Sequence, residues 1–146
     1  MERSSGTAPP RRAPAGATPA TLPGLTVRIE DSAEGTATVA LGGELDLSTI
    51  AGLEGALLEQ ATQRTAVLVD LSALTFIDSS GIGVLIQALK NGNGIPMQIL
   101  IGPGSQVERV FRIAGLYEAL PVFSDRQLAL AELAGARNGH SRKAGD

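Results

Sequence analysis

Cysteine is absent from this chain of 146 residues. No disulfide framework and no Cys-ligated metal can therefore hold it together, and a reducing compartment suits it. Histidine is nearly absent: the single one, His140, lies near the C-terminal end. A Ser-His-Asp triad inside a folded body is thereby excluded. Aromatic residues make up only 3% of the chain, so any core must be built mainly from Leu, Val, Ile and Ala. No run approaches the roughly 18 apolar residues that mark a membrane span. Met1 to Pro10 lack the apolar centre of a signal peptide. The expectation is a cytoplasmic protein that does not engage a membrane. There is also no G-x-x-x-x-G-K-[ST] phosphate loop, and Gly81-Ile82-Gly83 lacks the third glycine of a dinucleotide fingerprint. No cofactor is expected, and the scattered carboxylates signal no metal site.

What is present is enough for one core. Hydrophobic residues reach 43%, and the length suits a single domain. The charge is uneven. Residues 1–23 carry Glu2 against Arg3, Arg11 and Arg12, a net of +2, and residues 135–146 carry Asp146 against Arg137, Arg142 and Lys143, again +2. With a formal total of −3, residues 24–134 hold −7. An acidic body argues against nucleic acid as the partner and suits a protein with a basic surface, although charge for solubility alone gives the same pattern. Residues 1–23 hold five of the eight prolines amid Ala, Gly, Ser and Thr. Such a segment buries too little apolar area to offset the entropy of ordering it, so a disordered tail is expected. Residues 135–146 read as a second, basic, disordered tail, which leaves 24–134 as the folded domain.

Within that domain the periodicity changes regularly. Leu25, Val27 and Ile29, then Ala37, Val39 and Leu41, alternate with more polar neighbours across the turn 31–35, which predicts an antiparallel hairpin. After Gly42-Gly43-Glu44-Leu45-Asp46, with Asp46 or Ser48 as candidate cap, Ile50, Leu53, Leu57 and Ala61 fall at near-helical spacing. Ala66-Val67-Leu68-Val69 reads as a strand covered on both faces, followed by a bend over 70–74. A helix over about 79–90 presents Ile82, Leu85, Ile86 and Leu89 and is stopped by Asn91-Gly92-Asn93-Gly94. A strand at 97–101 leads to a helix capped by Ser105 with Val107, Val110, Phe111 and Ala114 on one face and Gly115 at its end. A short extended piece at 120–123 precedes a last helix, capped by Ser124 or Asp125, whose apolar residues are Leu128, Leu130, Ala131 and Leu133. The order ββ-α-β-α-β-α-β-α implies an α/β domain: an opening hairpin plus a mostly parallel sheet with crossover helices packed on it.

The chemistry concentrates at Thr75-Phe76-Ile77-Asp78-Ser79-Ser80-Gly81-Ile82-Gly83, where strand gives way to helix. A helix start presents unpaired N–H groups and partial positive charge, and so tolerates an anion. Asp78 or Ser79 serves as an N-cap. Capping does not account for Gly81 and Gly83, since each glycine inside a helix costs about 1 kcal/mol relative to Ala. Two explanations stand side by side: close approach by another protein, or tight internal packing. A phospho-aspartate receiver would use Glu30-Asp31 and Asp70 at strand ends, but it also needs a lysine late in the sheet. The two lysines, Lys90 in a helix and Lys143 in the tail, do not supply it.

Gly43-Glu44-Leu45-Asp46, Val67-Leu68-Val69-Asp70-Leu71 and Leu74-Thr75-Phe76-Ile77-Asp78-Ser79-Ser80-Gly81-Ile82-Gly83-Val84-Leu85 together resemble the STAS domain family, and most of all its stand-alone bacterial anti-sigma factor antagonists. Val107 to Leu116 resembles a later helix of that family, so the likeness covers about residues 24–134. The resemblance implies a protein without catalysis of its own. Its unphosphorylated form binds an anti-sigma factor that is also a serine kinase, with ATP held by that partner, and a sigma factor is released. The kinase phosphorylates the first serine of the pair, here Ser79, which ends the complex, and a metal-dependent serine phosphatase reverses the step. Asp78, Ser80, Gly81 and Gly83 then neighbour the acceptor, and Asp46, Gly81, Ile82 and Gly83 meet the partner. Arg109 and Arg112 are exposed-helix arginines that either pair across an interface or face water. The alternative within the same family is a scaffold or subunit of a stress-signalling or lipid-transport complex, in which Ser79 only caps.

Overall fold

The computed structural model describes residues 18–22, 24–32, 35–90 and 95–138, the side chains of 18–22, 137 and 138 excepted. Six strands and four helices follow one another in it. They are β1 (Thr18–Leu22), β2 (Leu25–Asp31), β3 (Thr36–Leu45), α1 (Ile50–Gln63), β4 (Ala66–Ile77), α2 (Ser79–Lys90), β5 (Met97–Leu100), α3 (Gln106–Ile113), β6 (Val122–Phe123) and α4 (Arg126–Asn138). The strands form one sheet in chain order. The β1–β2 and β2–β3 pairs are antiparallel, and the β3–β4, β4–β5 and β5–β6 pairs are parallel. The expected hairpin and crossover sheet are both there.

Alternation along the central strand sorts its residues between two layers. Val67, Val69 and Leu71 face one way and meet Leu53 and Leu57 of α1, Val84 and Leu85 of α2, and Val107 and Phe111 of α3 in the main core. Ala66 and Leu68 face the other way and, with Leu100, meet Ala129 and Leu133 of α4. Both faces of β4 are thus covered, as its unbroken apolar run requires. Burying a Leu or Val fully contributes about 1.5–3 kcal/mol each, so this central strand anchors the fold.

Four expectations are corrected. Thr18–Leu22, assigned by composition to the tail, forms an edge strand, with Thr18 opposite Ile29 and Leu22 opposite Leu25. Backbone pairing to β2 orders this segment, which needs no core of its own, and an edge tolerates Pro19. The last helix continues past residue 134 to Asn138. The bend expected at 70–74 is instead part of β4, which runs on to Ile77. Its irregular look arises because its register against β3 shifts between Ala40 and Gly42 and again between Gly43 and Glu44, so burial no longer alternates by two. The inward face of α4 is Ala129 and Leu133, whereas Leu128 is 60% exposed. Of the apolar residues expected on this helix, Leu133 is buried, Leu130 packs partly against the same cluster, and Leu128 turns to the opposite side.

Helix ends follow local chemistry more closely. The Asp125 carboxylate accepts from the N–H groups of Gln127 and Leu128 at the start of α4. Gly115, at φ 71°, closes α3, with its own N–H bonded to the Arg112 carbonyl and that of Leu116 to Phe111. The stop assigned to residues 91–94 lies outside the described residues.

Candidate functional site

The parallel strands β3 and β4 end together, with Leu45 opposite Ile77. Asp46 and Asp78 are the first residues beyond this pair, and the Asp78 N–H still donates to the Leu45 carbonyl at 3.2 Å. The two aspartate loops therefore emerge side by side at the C-terminal ends of the strands. That is the end of an open α/β sheet where ligands ordinarily bind.

Asp78 is the cap of α2. Its Oδ1 accepts from the Gly81 N–H at 3.1 Å, and its carbonyl accepts from the Ile82 N–H at 3.1 Å. Ser79 and Ser80 then occupy the first two helical positions. Neither hydroxyl makes a hydrogen bond among the described residues, and Ser79 is exposed while Ser80 is half-buried. The sequence left Asp78 and Ser79 as rival caps. The geometry gives the cap to Asp78 and leaves the Ser79 Oγ facing solvent beside the positive end of the helix.

The two glycines have different causes. A Cβ on Gly81 would lie 2.7 Å from Leu45 Cγ, 2.9 Å from Leu45 Cδ2 and 3.0 Å from Ile77 Cγ1. Leu45 is fully buried and cannot give way. Gly81 is therefore a packing residue that seats the first turn of α2 on the ends of β3 and β4. A Cβ on Gly83 would have no heavy atom within 4 Å. No internal contact asks for glycine there, and its helix penalty of about 1 kcal/mol has no return within the fold. Ile82, between them, is half-buried and packs partly against the core, so little of it is available to a partner.

Asp46 orders its own loop. Its Oδ1 accepts from the Ser48 N–H at 3.0 Å and from the Ser48 hydroxyl at 2.7 Å. Its carbonyl accepts from the N–H groups of Thr49 and Ile50. The residue preceding α1 is Thr49, not Asp46 or Ser48. Thr49 is buried, and its Oγ1 accepts from the Asp46 N–H at 3.0 Å and lies 3.2 Å from the carbonyls of Glu44 and Asp46. These bonds hold Leu47 outward, where it is 73% exposed. Sequence reading passed over Leu47 and Thr49, because an apolar residue in a loop gives no periodic signal.

Asp70, the strand-end aspartate of the receiver reading, sits inside β4 and is committed elsewhere. Its Oδ1 accepts from the Ser72 N–H at 2.9 Å and the Ser72 hydroxyl at 2.6 Å, and its Oδ2 pairs with the Arg126 guanidinium. It fastens the start of α4 to the sheet. Arg109 and Arg112 are both exposed on α3, and Arg112 pairs with Glu108 at 2.9 Å. Among the described residues no group of three His, Asp or Glu side chains could hold a metal ion. No helix there is long and apolar enough to cross a membrane.

Comparison with known proteins places these features in context. Residues 28–129 match the family model for the STAS domain. The chain is 35% identical over 115 residues to the anti-sigma-F factor antagonist RsfB of Mycobacterium tuberculosis, covering 77% of this chain and 93% of that one. It is 36% identical over 87 residues to the anti-sigma-B factor antagonist of Staphylococcus epidermidis, covering 58% of this chain and 80% of the other. Among solved structures, an anti-sigma factor antagonist from Mycobacterium paratuberculosis superimposes with a TM-score of 0.68 at 25% identity, over 75% of this chain and 94% of that one. SpoIIAA in its unphosphorylated form shares the fold, with a TM-score of 0.60 at 21% identity, over 75% of this chain and 96% of that one. The β1 strand lies ahead of the family match.

Proposed function

The chain belongs to the STAS domain family, and from that premise we propose that it is an anti-sigma factor antagonist whose binding is switched off by phosphorylation of Ser79. The observation that carries the reading is the division of labour at the start of α2: Asp78 caps the helix, so the adjacent Ser79 hydroxyl is exposed and unbonded. Its RsfB and anti-sigma-B relatives, named as antagonists, support the partner class.

In this reading the unphosphorylated protein binds an anti-sigma factor in the cytoplasm and frees a sigma factor. The anti-sigma factor is itself a serine kinase. The γ-phosphoryl of its bound ATP passes to Ser79 Oγ. The new Oγ–P bond forms as the bond to the β-phosphate oxygen breaks, ADP leaves, and the hydroxyl proton goes to a base on the kinase. Asp78 is engaged with the Gly81 N–H through Oδ1 as the cap of the helix. A metal-dependent serine phosphatase hydrolyses the ester and resets the protein. The chain contributes the acceptor and the docking face and catalyses nothing.

The phosphate adds about −1.5 to −2 charges at pH 7. The helix N-terminus accommodates it, so the domain stays folded. Asp78 next door and the −7 body leave it poorly compensated at a contact surface. Losing about 3–4 kcal/mol there weakens binding by roughly a few hundredfold, with no large conformational change. The test is incubation with purified anti-sigma factor kinases and ATP, followed by mass spectrometry of wild type and Ser79→Ala. Phosphate on wild type alone is expected. Phosphate that persists in Ser79→Ala overturns the assignment.

A further inference from the structure

Helices α1 and α2 do not close fully on each other. A groove of about 470 Å³ runs between them on the side away from the sheet. Ala51, Gly55, Leu58 and Ala61 line it from α1, and Val84 and Ala88 from α2. Leu58 is 59% exposed although it is a large aliphatic residue on a helix whose core face is already supplied by Leu53, Leu57 and Ala61. Gly55 has no heavy atom within 4 Å of where a Cβ would be, and neither does Gly83, which directly precedes Val84. Two helical glycines, one on each helix, are thus unexplained by packing inside the domain, and each weakens its helix.

The lining decides what can be buried there. Both walls are helices, whose mid-helix N–H and C=O groups are already paired. The polar side chains in the lining are only Glu54 and Gln87. An extended peptide laid in the groove would leave its backbone groups without partners, at a cost no apolar contact offsets. A helix brings its backbone bonds with it. From Ala51 to Ala61 the groove is about 15 Å long, close to three turns of such a helix. Charge narrows the choice further. Helix α1 carries Glu54 and Glu59 and no basic residue. Ser79 and Gly83 lie on α2 ahead of Val84, the first residue of that helix to line the groove.

We propose that the α1–α2 groove receives an amphipathic helix of the anti-sigma partner, its apolar side on Leu58 and Ala88 and a basic residue facing Glu54. The inference rests on the antagonist reading and extends the docking face from the phosphorylated turn down the two helices. Gly55, which lines the groove, lets the incoming helix approach closely.

Isothermal titration of purified anti-sigma factor kinases, with ATP analogue bound, tests this against wild type, Leu58→Glu, Gly55→Gln and Ser79→Glu. Leu58 and Gly55 point outward, so thermal melts of those variants should stay near wild type. Leu58→Glu is expected to weaken binding roughly thirtyfold or more, as loss of an interface anchor does, and Gly55→Gln by about tenfold. Normal binding by both, with binding lost in Ser79→Glu, overturns the groove assignment and leaves the phosphorylation switch standing. Wild type that binds none of the kinases overturns both. A homodimer in light scattering that Leu58→Glu dissolves overturns the proposal in favour of a second copy of this chain as occupant.

Discussion

Helices α2 and α3 both begin at a serine-containing turn, and the two turns use their serines in opposite ways. At α3 the hydroxyl is built in: Ser105 Oγ accepts from the Glu108 N–H at 3.0 Å and donates to the Gly102 carbonyl at 2.7 Å. Glu108 reaches back to the Gly104 N–H at 2.8 Å, so the whole turn is tied together. At α2 the cap is a carboxylate, Asp78, and the serines come one and two residues later with their hydroxyls unbonded. A serine at the cap position is a structural group, and a serine just past the cap keeps its hydroxyl free of internal bonds. One residue of displacement separates a bonded hydroxyl from an unbonded one.

The largest expected consequence concerns binding. Ser79→Glu, or phosphorylation, should weaken the anti-sigma partner by roughly a few hundredfold while leaving the melting temperature almost unchanged. Ser105→Glu should do the reverse, lowering stability with little direct effect on the partner. Titration and melting curves on the pair check both, and a Ser79→Glu protein that unfolds instead would erase the distinction between the two turns.

Within α2 the two glycines sharpen the comparison. Gly81→Ala forces a methyl to within 3 Å of buried Leu45 and Ile77, and overpacking of this kind costs about 1–3 kcal/mol. Gly83→Ala meets nothing and should stabilise by up to about 1 kcal/mol. Urea denaturation resolves the two signs. A destabilising Gly83→Ala would mean that its surroundings are less open than the geometry indicates.

The caps themselves come next in size. Asp78→Ala and Ser105→Ala should each cost about 0.5–2 kcal/mol, while Ser79→Ala stays within about 0.5 kcal/mol of wild type. Equal losses from Ser79→Ala and Ser105→Ala would show that the first hydroxyl is not spare.

The smallest effect is a pH dependence at α3. The Gly104 N–H, then Arg112, holds the Glu108 carboxyl below its ordinary value of 4.5. A depressed folded-state value means the stabilisation is complete above the unfolded value and is lost as pH falls through the folded one. The stability of wild type relative to Glu108→Gln should therefore be level above about pH 5 and decline on acidification. The slope is slight because the group lies at the surface, where solvent screens its partners. No such limb is expected from Ser79.

Much of this was legible along the chain. The alternation at Leu25–Ile29 and Ala37–Leu41, the helical spacing of Leu53 and Leu57, and the caps at Ser105 and Asp125 depend on neighbours a few residues apart. The Asp78-Ser79-Ser80 order was visible too, but not which residue caps, since either side chain can reach the same N–H groups. Thr18–Leu22 was missed because an edge strand held by backbone pairing needs no apolar pattern. The length of β4 was missed because two register shifts broke its period.

By itself the sequence determined the element order from Leu25 onward, the placing of most helix ends, and a serine pair at the end of the central strand. Those features follow from the fixed periods of helix and strand and from hydrogen bonds that span one turn. Tertiary structure alone decided that Gly81 is packed and Gly83 open, because the test is the position of Leu45, a residue on another strand. It also decided that Asp70 is committed to Arg126 across the sheet, and that Leu47 and Leu58 face outward. Such outcomes are set by register and by the meeting of segments far apart in the chain, and a local pattern holds no record of either.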